Sequence, residues 1–312
     1  LMFIMIIWLQ GIWLPLHGYS YASTPLWAGI YMLPLTAGFL IAGPISGLLS
    51  DHYGARPFAT AGMIGAAVVF YLFQLLPADF NYVWFAVLLL AYGVFSGLFA
   101  SPNQAGIMNS LPPSQRGAGA GMSATFQNSA MLLSIGIFFT LIIVGLSASL
   151  PNTLYHGLVA QGVPQADAVR ISHLPPVSSL FAAFLGFNPM QSLLGQAVTH
   201  LSPAHAAYLT GRSFFPELIS GPFMNGLREA FDFAIGASAI AAVASWLRGA
   251  KYHYQEGAEL HKSAMRSAEP GQPGDTVAVR TPAAGAADVD TSRNRSFPRV
   301  ESPGVGSRAP RE

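Results

Sequence analysis

Six long apolar stretches occupy most of the chain, and few charged side chains interrupt them. Residues 1–227 contain only eight Asp, Glu, Lys or Arg side chains, whereas residues 248–312 contain eighteen. A water-soluble domain of this size needs far more surface charge, but a domain surrounded by lipid does not. The pattern therefore predicts an all-α membrane protein with a polar C-terminal tail.

The apolar stretches have lengths suited to membrane-spanning helices. About 20 residues cross a hydrocarbon core about 30 Å thick, because a helix rises about 1.5 Å per residue. The runs do not alternate as barrel strands do, and a helix satisfies its own backbone hydrogen bonds in lipid. The predicted spans, which with their loops form a domain over residues 1–249, are 1–17, 24–50, 57–77, 82–110, 115–148 and 227–249.

Local signals mark helix ends and one long loop. Asn81 precedes the fourth span and Ser114 the fifth, and both residue types cap helix N-termini. The segment 149–226 is predicted to be a long extracytoplasmic loop. Its apolar run, 180–187, is too short to cross a bilayer, so it predicts either a re-entrant or interfacial helix or a small folded cap.

Basic residues set the predicted orientation, because short cytoplasmic loops carry an excess of Lys and Arg. Arg56, Arg116 and Arg248 lie on one side, while the loops 18–23 and 78–81 on the other side contain no Lys or Arg. We therefore expect a multi-pass protein of the cell membrane, that is, the plasma or inner membrane. Its Arg56 side is expected to face the cytoplasm.

The two ends of the chain lead to two further expectations. Residues 250–312 are rich in Pro, Gly, Ala, Ser and Arg, and such a segment buries too little apolar surface to offset its chain entropy. They are predicted to form a disordered cytoplasmic tail. Apolar residues begin at Leu1 without a polar flank, so we expect a fragment whose missing N-terminal part holds further spans.

Composition argues against several classes of function. The chain has no cysteine, which excludes disulfides, thiolate metal sites and cysteine catalysis within it. Its histidines are scattered, and the one pair near the spacing of a metal site, His200 and His205, lies five residues apart across Pro203, a weak signal. No Ser–His–Asp grouping, phosphate-binding glycine loop or nucleic-acid motif is present. We therefore expect no enzyme activity, no metal or other cofactor, and no nucleic-acid partner.

A polar turn between the second and third spans carries the most specific motif. We call residues 47–57 the Arg56 turn, and their sequence is GLLSDHYGARP. Gly47 allows close helix approach, Asp51 can accept from a helix N-terminus, and Gly54 permits a tight reversal. Arg56 can pair with a carboxylate or a lipid phosphate. These residues predict either a charged latch that breaks in another conformation or an ordinary polar turn with a helix cap.

The Arg56 turn resembles the loop signature of the major facilitator superfamily, G-x-L-[AS]-D-[RK]-x-G-[RK]-[RK]. His52 and Ala55 depart from it, and the matching residues are Gly47, Leu49, Ser50, Asp51, Gly54 and Arg56. Residues 97–102 and 112–117 also resemble drug:proton antiporters of the 14-span type. The resemblance covers about residues 1–249 and implies a six-helix bundle, the C-terminal half of such a transporter, whose partner is the missing N-terminal half.

Polar side chains inside the spans are candidates for a transport path, because they are costly in lipid and usually face the bundle interior. Gln127 and Asn128 fall near the middle of their span, where transporter sites usually lie, and Ser123, Gln127 and Ser134 lie roughly on one face. Hydrogen bonding between helices would explain the same amides equally well. The candidate path residues are Gln10, Asn103, Gln104, Gln127 and Asn128.

Two further features concern movement and coupling. The glycine pairs Gly43/Gly47, Gly93/Gly97 and Gly117/Gly121 place small residues one turn apart and predict close helix packing. Asp232, about one turn inside the last span, is a candidate proton-linked group. It could instead hydrogen-bond at the exit or pair with Arg228 at i, i+4 spacing.

Together these features predict a secondary active transporter, with proton-coupled efflux of small apolar or amphiphilic compounds by alternating access. Its expected partners are the substrate, protons and the lipid bilayer. Two alternatives remain open at this point. One is a membrane protein that transports nothing and serves assembly or sensing, and the other is a nutrient symporter or uniporter of the same fold.

Overall fold

The computed structural model describes residues 2–185 and 188–247, and every regular element in these ranges is helical. The all-α prediction is therefore confirmed, while the predicted tail, 250–312, lies outside the described residues. A π-helical turn, Leu9–Trp13, joins the first two helices into one. The helices are α1 (Met2–Trp8), α2 (Leu14–Leu16), α3 (Thr24–Tyr31), α4 (Leu33–Tyr53), α5 (Ala55–Gln74), α6 (Tyr82–Asn109), α7 (Arg116–Ala160), α8 (Gln165–Ser172), α9 (Pro176–Leu185), α10 (Met190–Leu194), α11 (Pro203–Leu209) and α12 (Phe214–Trp246).

Four helical segments of the described chain are long and apolar enough to cross a membrane. They overlap the second to fifth predicted spans, and they are Thr24–Tyr53, Ala55–Gln74, Tyr82–Asn109 and Pro113–Ala160. Met2–Leu16 is a shorter apolar helix. The sixth predicted span, 227–249, overlaps α12, which is not among the four, and its residues 248 and 249 lie outside the described chain. The limits of the spans in a bilayer remain predictions.

Two helices extend beyond the predicted spans because apolar stripes continue to find packing partners. α7 runs past residue 148 and through Pro151, where Leu150, Leu154 and Leu158 form a buried stripe at i, i+4 spacing. α7 packs there against α8, and this packing outweighs the lost proline hydrogen bond. α12 likewise begins at Phe214 rather than near residue 227, since its first turns are buried.

The two predicted N-caps differ in outcome. The Asn81 side-chain oxygen accepts a hydrogen bond from the Val83 N–H at 2.9 Å, which confirms the cap of α6. The Ser114 cap is wrong. Ser114 lies within a 3₁₀ turn that begins at Pro113, and α7 starts at Arg116 without a side-chain cap. Pro112 holds an extended conformation before that turn, which shifts the helix start beyond Ser114.

Neighbouring helices pack in the order α4, α6, α5, α12 and α7. α4 and α6 share the longest contact, and α12 lies against both α5 and α7. The first helix contacts α3, α9 and α12 through its π-helical turn and its ends. α6 and α7 follow one another in the chain but make little contact, and this separation opens a cleft between them.

Small residues allow α4 and α6 to pack backbone against backbone. A Cβ atom at Gly93 would collide with the Leu35 carbonyl oxygen, and one at Gly97 would lie 2.9 Å from the Gly43 nitrogen. The buried Ser46 hydroxyl lies 2.9 Å from the Gly43 carbonyl oxygen and 3.0 Å from that of Gly97. The predicted close packing is confirmed for this helix pair.

The glycine pair near the start of α7 does not serve the same purpose. Cβ atoms added at Gly117 and Gly121 would meet nothing within 4 Å, so the predicted close packing is wrong at this pair. The surrounding turns of α7 are exposed, with Met122 at 64%, Phe126 at 66% and Leu132 at 70%. This part of α7 has no helix of the described chain packed closely along it.

Aromatic side chains build the core at the end of the bundle opposite the Arg56 turn. Phe80 and Phe85 stack with ring centroids 4.3 Å apart, and Trp8 meets both rings edge-on. Phe73 of α5 stacks on Phe231 of α12 at 5.8 Å. These contacts fix the first helix against α5, α6 and α12.

The predicted extracytoplasmic segment is folded into short helices. α9 contains most of the apolar run at 180–187 and packs against α7 and the π-helical turn, while residues 186 and 187 lie outside the described chain. The Tyr21 hydroxyl donates to the Arg212 carbonyl at 3.0 Å and ties this segment to the loop after α2. Burial raises the pKa of Tyr21 to about 12, although the Arg212 charge acts in the opposite direction. The hydroxyl therefore remains a donor at neutral pH.

Candidate functional site

An open cleft of about 560 Å³ lies between α6 and α7, close to the turn at 110–115. It forms because α6 ends at Asn109 and the chain reverses through Pro112 and Pro113 before α7 diverges. Its apolar walls come from Ile107, Leu111, Met122 and Phe126. No side chain that lines the cleft carries a charge.

A chain of polar side chains crosses this cleft. The Gln127 amide donates to the Ser123 hydroxyl at 3.1 Å, and that hydroxyl donates to the Gln104 side-chain oxygen at 3.4 Å. Ser123 and Gln127 are one turn apart on α7, so the shared face expected from the sequence exists. Asn103 also lines the cleft. The arrangement offers hydrogen-bonding groups beside apolar walls.

The structure does not bring all predicted path residues together. Asn103 and Gln127 line the cleft, and Gln104 is connected to it through its bond with Ser123. Asn128 lies on an exposed face of α7 and does not line it. Gln10 is buried in the π-helical turn of the first helix, away from the cleft. The apolar walls were not predicted from the sequence, although Met122 and Phe126 repeat at the same i, i+4 spacing as Ser123 and Gln127.

The Arg56 turn reverses the chain at Gly54. This glycine has a φ of 89°, a conformation that favours glycine, and its N–H donates to the Ser50 carbonyl at 2.8 Å. α4 therefore ends and α5 begins at once. A Cβ at Gly47 would lie 2.9 Å from the Ser101 hydroxyl oxygen, so α4 and α6 also approach closely here.

The charged residues of this turn lie at the surface. The Arg56 guanidinium carbon is 4.4 Å from the ring centroid of Trp246, which links the start of α5 to the end of α12. The sequence suggested a carboxylate or a lipid phosphate as the partner of Arg56, and the aromatic partner is new. Asp51 is exposed in the last turn of α4. Its role as a latch stays a prediction.

Asp232 makes a second link between α5 and α12. The Gln74 side-chain amide donates to its carboxylate at 2.7 Å. Asp232 therefore has the hydrogen bond that was one of its expected roles, and within the described chain it forms no ion pair with Arg228. The Asp232 and Arg56 links lie near opposite ends of the same helix pair.

The described residues contain no group of three or more His, Asp or Glu side chains that could hold a metal ion. The chemistry of the cleft is thus that of amides, hydroxyls and apolar side chains. Such groups bind and orient a small molecule, and none of them is placed as a nucleophile beside a base.

Comparison with known proteins matches part of the chain to one family. The family model of the Major Facilitator Superfamily matches residues 1–135, which contain the Arg56 turn and both walls of the cleft. The chain is 33% identical over 170 residues to the methyl viologen resistance protein SmvA of Salmonella typhimurium strain LT2, covering 51% of this chain and 32% of that protein. No solved structure matches the chain significantly.

Two further relatives are named as transport or export proteins. The riboflavin transporter RibZ of Clostridioides difficile is 31% identical over 115 residues, which are 37% of this chain and 25% of that protein. The tetracenomycin C resistance and export protein of Streptomyces glaucescens is 26% identical over 247 residues, which are 78% of this chain and 39% of that protein. The chain thus spans about a quarter to two fifths of the length of these relatives. The helical fold, the Arg56 turn and the family match agree, and residues 1–135 of the chain are similar to the Major Facilitator Superfamily.

Proposed function

We propose that the protein to which this chain belongs is a secondary active transporter of the cell membrane that exports small amphiphilic molecules in exchange for protons. Alternating access in such proteins moves one helical bundle against another around a central site. Two relatives carry names that refer to resistance or export, which supports export as the direction. The cytoplasmic orientation of the Arg56 turn is part of the same proposal.

The cleft between α6 and α7 is the observation that carries this proposal. Its volume of about 560 Å³ suits a drug-sized ligand, since such pockets usually measure about 300–1,000 Å³. Its apolar walls would accept a flat ring system, and the amides of Asn103 and Gln127 would pair with polar groups on its edge. Because the lining carries no charge, an uncharged amphiphile fits this surface best.

The links between α5 and α12 support movement of these helices as one unit. Arg56 and Trp246 join them near one end, and Gln74 and Asp232 join them near the other. We propose that the exposed Asp51 and Arg56 bias the equilibrium between conformations. Asp232 is the proposed proton-linked group, because a protonated carboxyl would change its bond with Gln74 from charge-assisted to neutral.

Transport by membrane vesicles that contain the full-length protein tests the cleft. Gln127→Ala should reduce the transport rate about 3- to 10-fold, the equivalent of one hydrogen bond worth about 1 kcal/mol. Asn128→Ala is the matched control, since this neighbouring amide does not line the cleft. Wild-type rates for Gln127→Ala and Asn103→Ala, at normal membrane levels, would remove the cleft from the transport path.

Asp51→Asn tests the latch separately from the cleft. We expect normal membrane insertion and substrate affinity but slower turnover, because the substitution removes a surface charge and leaves the cleft unchanged. Turnover and apparent affinity are measured in the same vesicles. Transport kinetics identical to those of the wild type would reject a role for Asp51 in the conformational change.

A nutrient importer of the same fold is the second candidate, because one relative is named as a riboflavin transporter. Imposing a proton gradient on inside-out vesicles separates the two directions. Accumulation of substrate inside these vesicles when their lumen is acidic indicates proton-coupled export. Loss of preloaded substrate under the same gradient indicates import.

A further inference from the structure

We propose that His17 and Asp79 form a proton-binding site at the end of the bundle opposite the Arg56 turn. A proton bound there fixes the end of the first helix to the turn between α5 and α6. The inference goes beyond the proposed function and does not depend on what the protein transports. By the distribution of basic residues, this end of the bundle is predicted to face the outside.

Hydrogen bonding assigns the tautomer of His17. Its Nδ1 lies 2.8 Å from the Trp13 carbonyl oxygen, which can only accept. Nδ1 therefore carries a hydrogen, and the other ring nitrogen, Nε2, faces the Asp79 carboxylate at 3.6 Å. In the neutral ring, Nε2 would present a lone pair to a negative oxygen. In the protonated ring, it presents an N–H, so the contact is attractive only when a proton is bound.

An indole ring also lies against the imidazole. The His17 ring stacks on the Trp13 ring with centroids 3.9 Å apart and planes 22° apart, and an indole face attracts a cation. Trp13 is itself fixed, because its N–H donates to the Phe80 carbonyl at 2.8 Å and its ring stacks on that of Phe80. His17 also follows the last residue of α2, where a helix C-terminus favours positive charge.

The other ionisable side chains on the elements around this site include three phenols. Tyr19, Tyr31 and Tyr82 come from the following loop, from α3 and from α6, and the first two share a hydrogen bond of 2.7 Å. On α12, which packs against α2, Glu217 accepts from Tyr208, and Arg212 lies shortly before that helix. Asp79 is thus the carboxylate that faces His17.

Access and position make the site suitable for sensing pH. The His17 side chain is 38% exposed, so protons reach it from solvent. Imidazole changes its charge between about pH 5 and pH 8. Trp13 ends the π-helical turn that contains Gln10, and such turns often occur at functional sites. The site therefore adjoins the turn against which α9 packs.

Tryptophan fluorescence of the full-length protein in lipid nanodiscs tests the site between about pH 8 and pH 5. A stacked imidazolium quenches indole emission, so the wild-type intensity should fall on acidification. His17→Gln and Trp13→Phe should lose this fall, and Asp79→Asn should reduce it at each pH. His173→Gln, at an exposed histidine of the same predicted side, is the control and should keep it.

Two outcomes would overturn the proposal. One is a wild-type fall in intensity in His17→Gln, and the other is an unchanged pH profile in Asp79→Asn. Size-exclusion chromatography of each variant shows whether it is folded. If His17→Gln does not fold, Asp79→Asn and Trp13→Phe decide between the outcomes. Loss of transport in Gln127→Ala together with an intact pH response would support both the cleft and the His17 site. The two sites lie on different helices, so one can fail without the other.

Discussion

Single glycines decide how closely α4 and α6 approach one another. Gly93→Ala should destabilise the protein by about 1–3 kcal/mol, because the new methyl group collides with the Leu35 backbone and overpacks the interface. Gly121→Ala is the matched control. Its methyl group meets nothing within 4 Å, and alanine favours a helix over glycine by about 0.5–1 kcal/mol.

Thermal unfolding of both variants in the same detergent measures the difference. The prediction requires a lower melting temperature for Gly93→Ala and an equal or higher one for Gly121→Ala. Equal losses in the two variants would mean that glycine has the same role in both helices. The close contact between α4 and α6 would then not explain the glycine at position 93.

For other single residues, the sequence indicated which side chains are candidates for function but not which residues they contact. The polar residues of the cleft could be chosen from the sequence because amides are rare inside apolar spans. The partner of Arg56 could not, since Trp246 is distant in sequence and many aromatic residues were available. The contact between His17 and Asp79 was missed for the same reason, as both residues lie in loops or helix ends without a motif.

One side-chain cap stabilises the start of α6. Asn81→Ala should lower the free energy of unfolding by about 1 kcal/mol, because the Val83 N–H loses its acceptor. Asn81→Asp keeps an acceptor at the same place and should preserve stability. Unfolding of the two variants in detergent checks this. Equal destabilisation by alanine and aspartate would show that the hydrogen bond does not stabilise the helix.

Helix starts and ends were predictable only where a local signal dominates. Gly54 ends α4 because its backbone conformation is difficult for other residues, and Asn81 starts α6 with its own side chain. Pro151 is a local signal for a break, yet α7 continues because three leucines find partners on α8 and neighbouring elements. Packing of this kind depends on residues far away in the chain and is absent from a local pattern.

The orientation of the molecule in the membrane is open to a direct test, because the chain contains no natural cysteine. Ser114→Cys lies in the turn between α6 and α7, and Gln165→Cys lies at the start of α8, and both positions are exposed. A membrane-impermeant maleimide should label Gln165→Cys on intact cells. It should label Ser114→Cys only after the cells are opened.

The reverse labelling pattern would contradict the predicted orientation. It would place the Arg56 turn outside and His17 inside the cell. The fluorescence response of His17 would be unaffected, because it depends on local contacts. Its relation to external pH would be lost, and export would then require the cleft to open from the other side.

The sequence by itself indicated that lipid surrounds this protein and that its structure is helical. It also located the most specific turn. These properties follow from composition and from short-range backbone rules, which act within a few residues. The tertiary structure decided which helices separate to form the cleft, which amides meet there, and which ring accepts Arg56. Those outcomes depend on side-chain shape matched across distant segments, and a one-dimensional pattern does not contain that information.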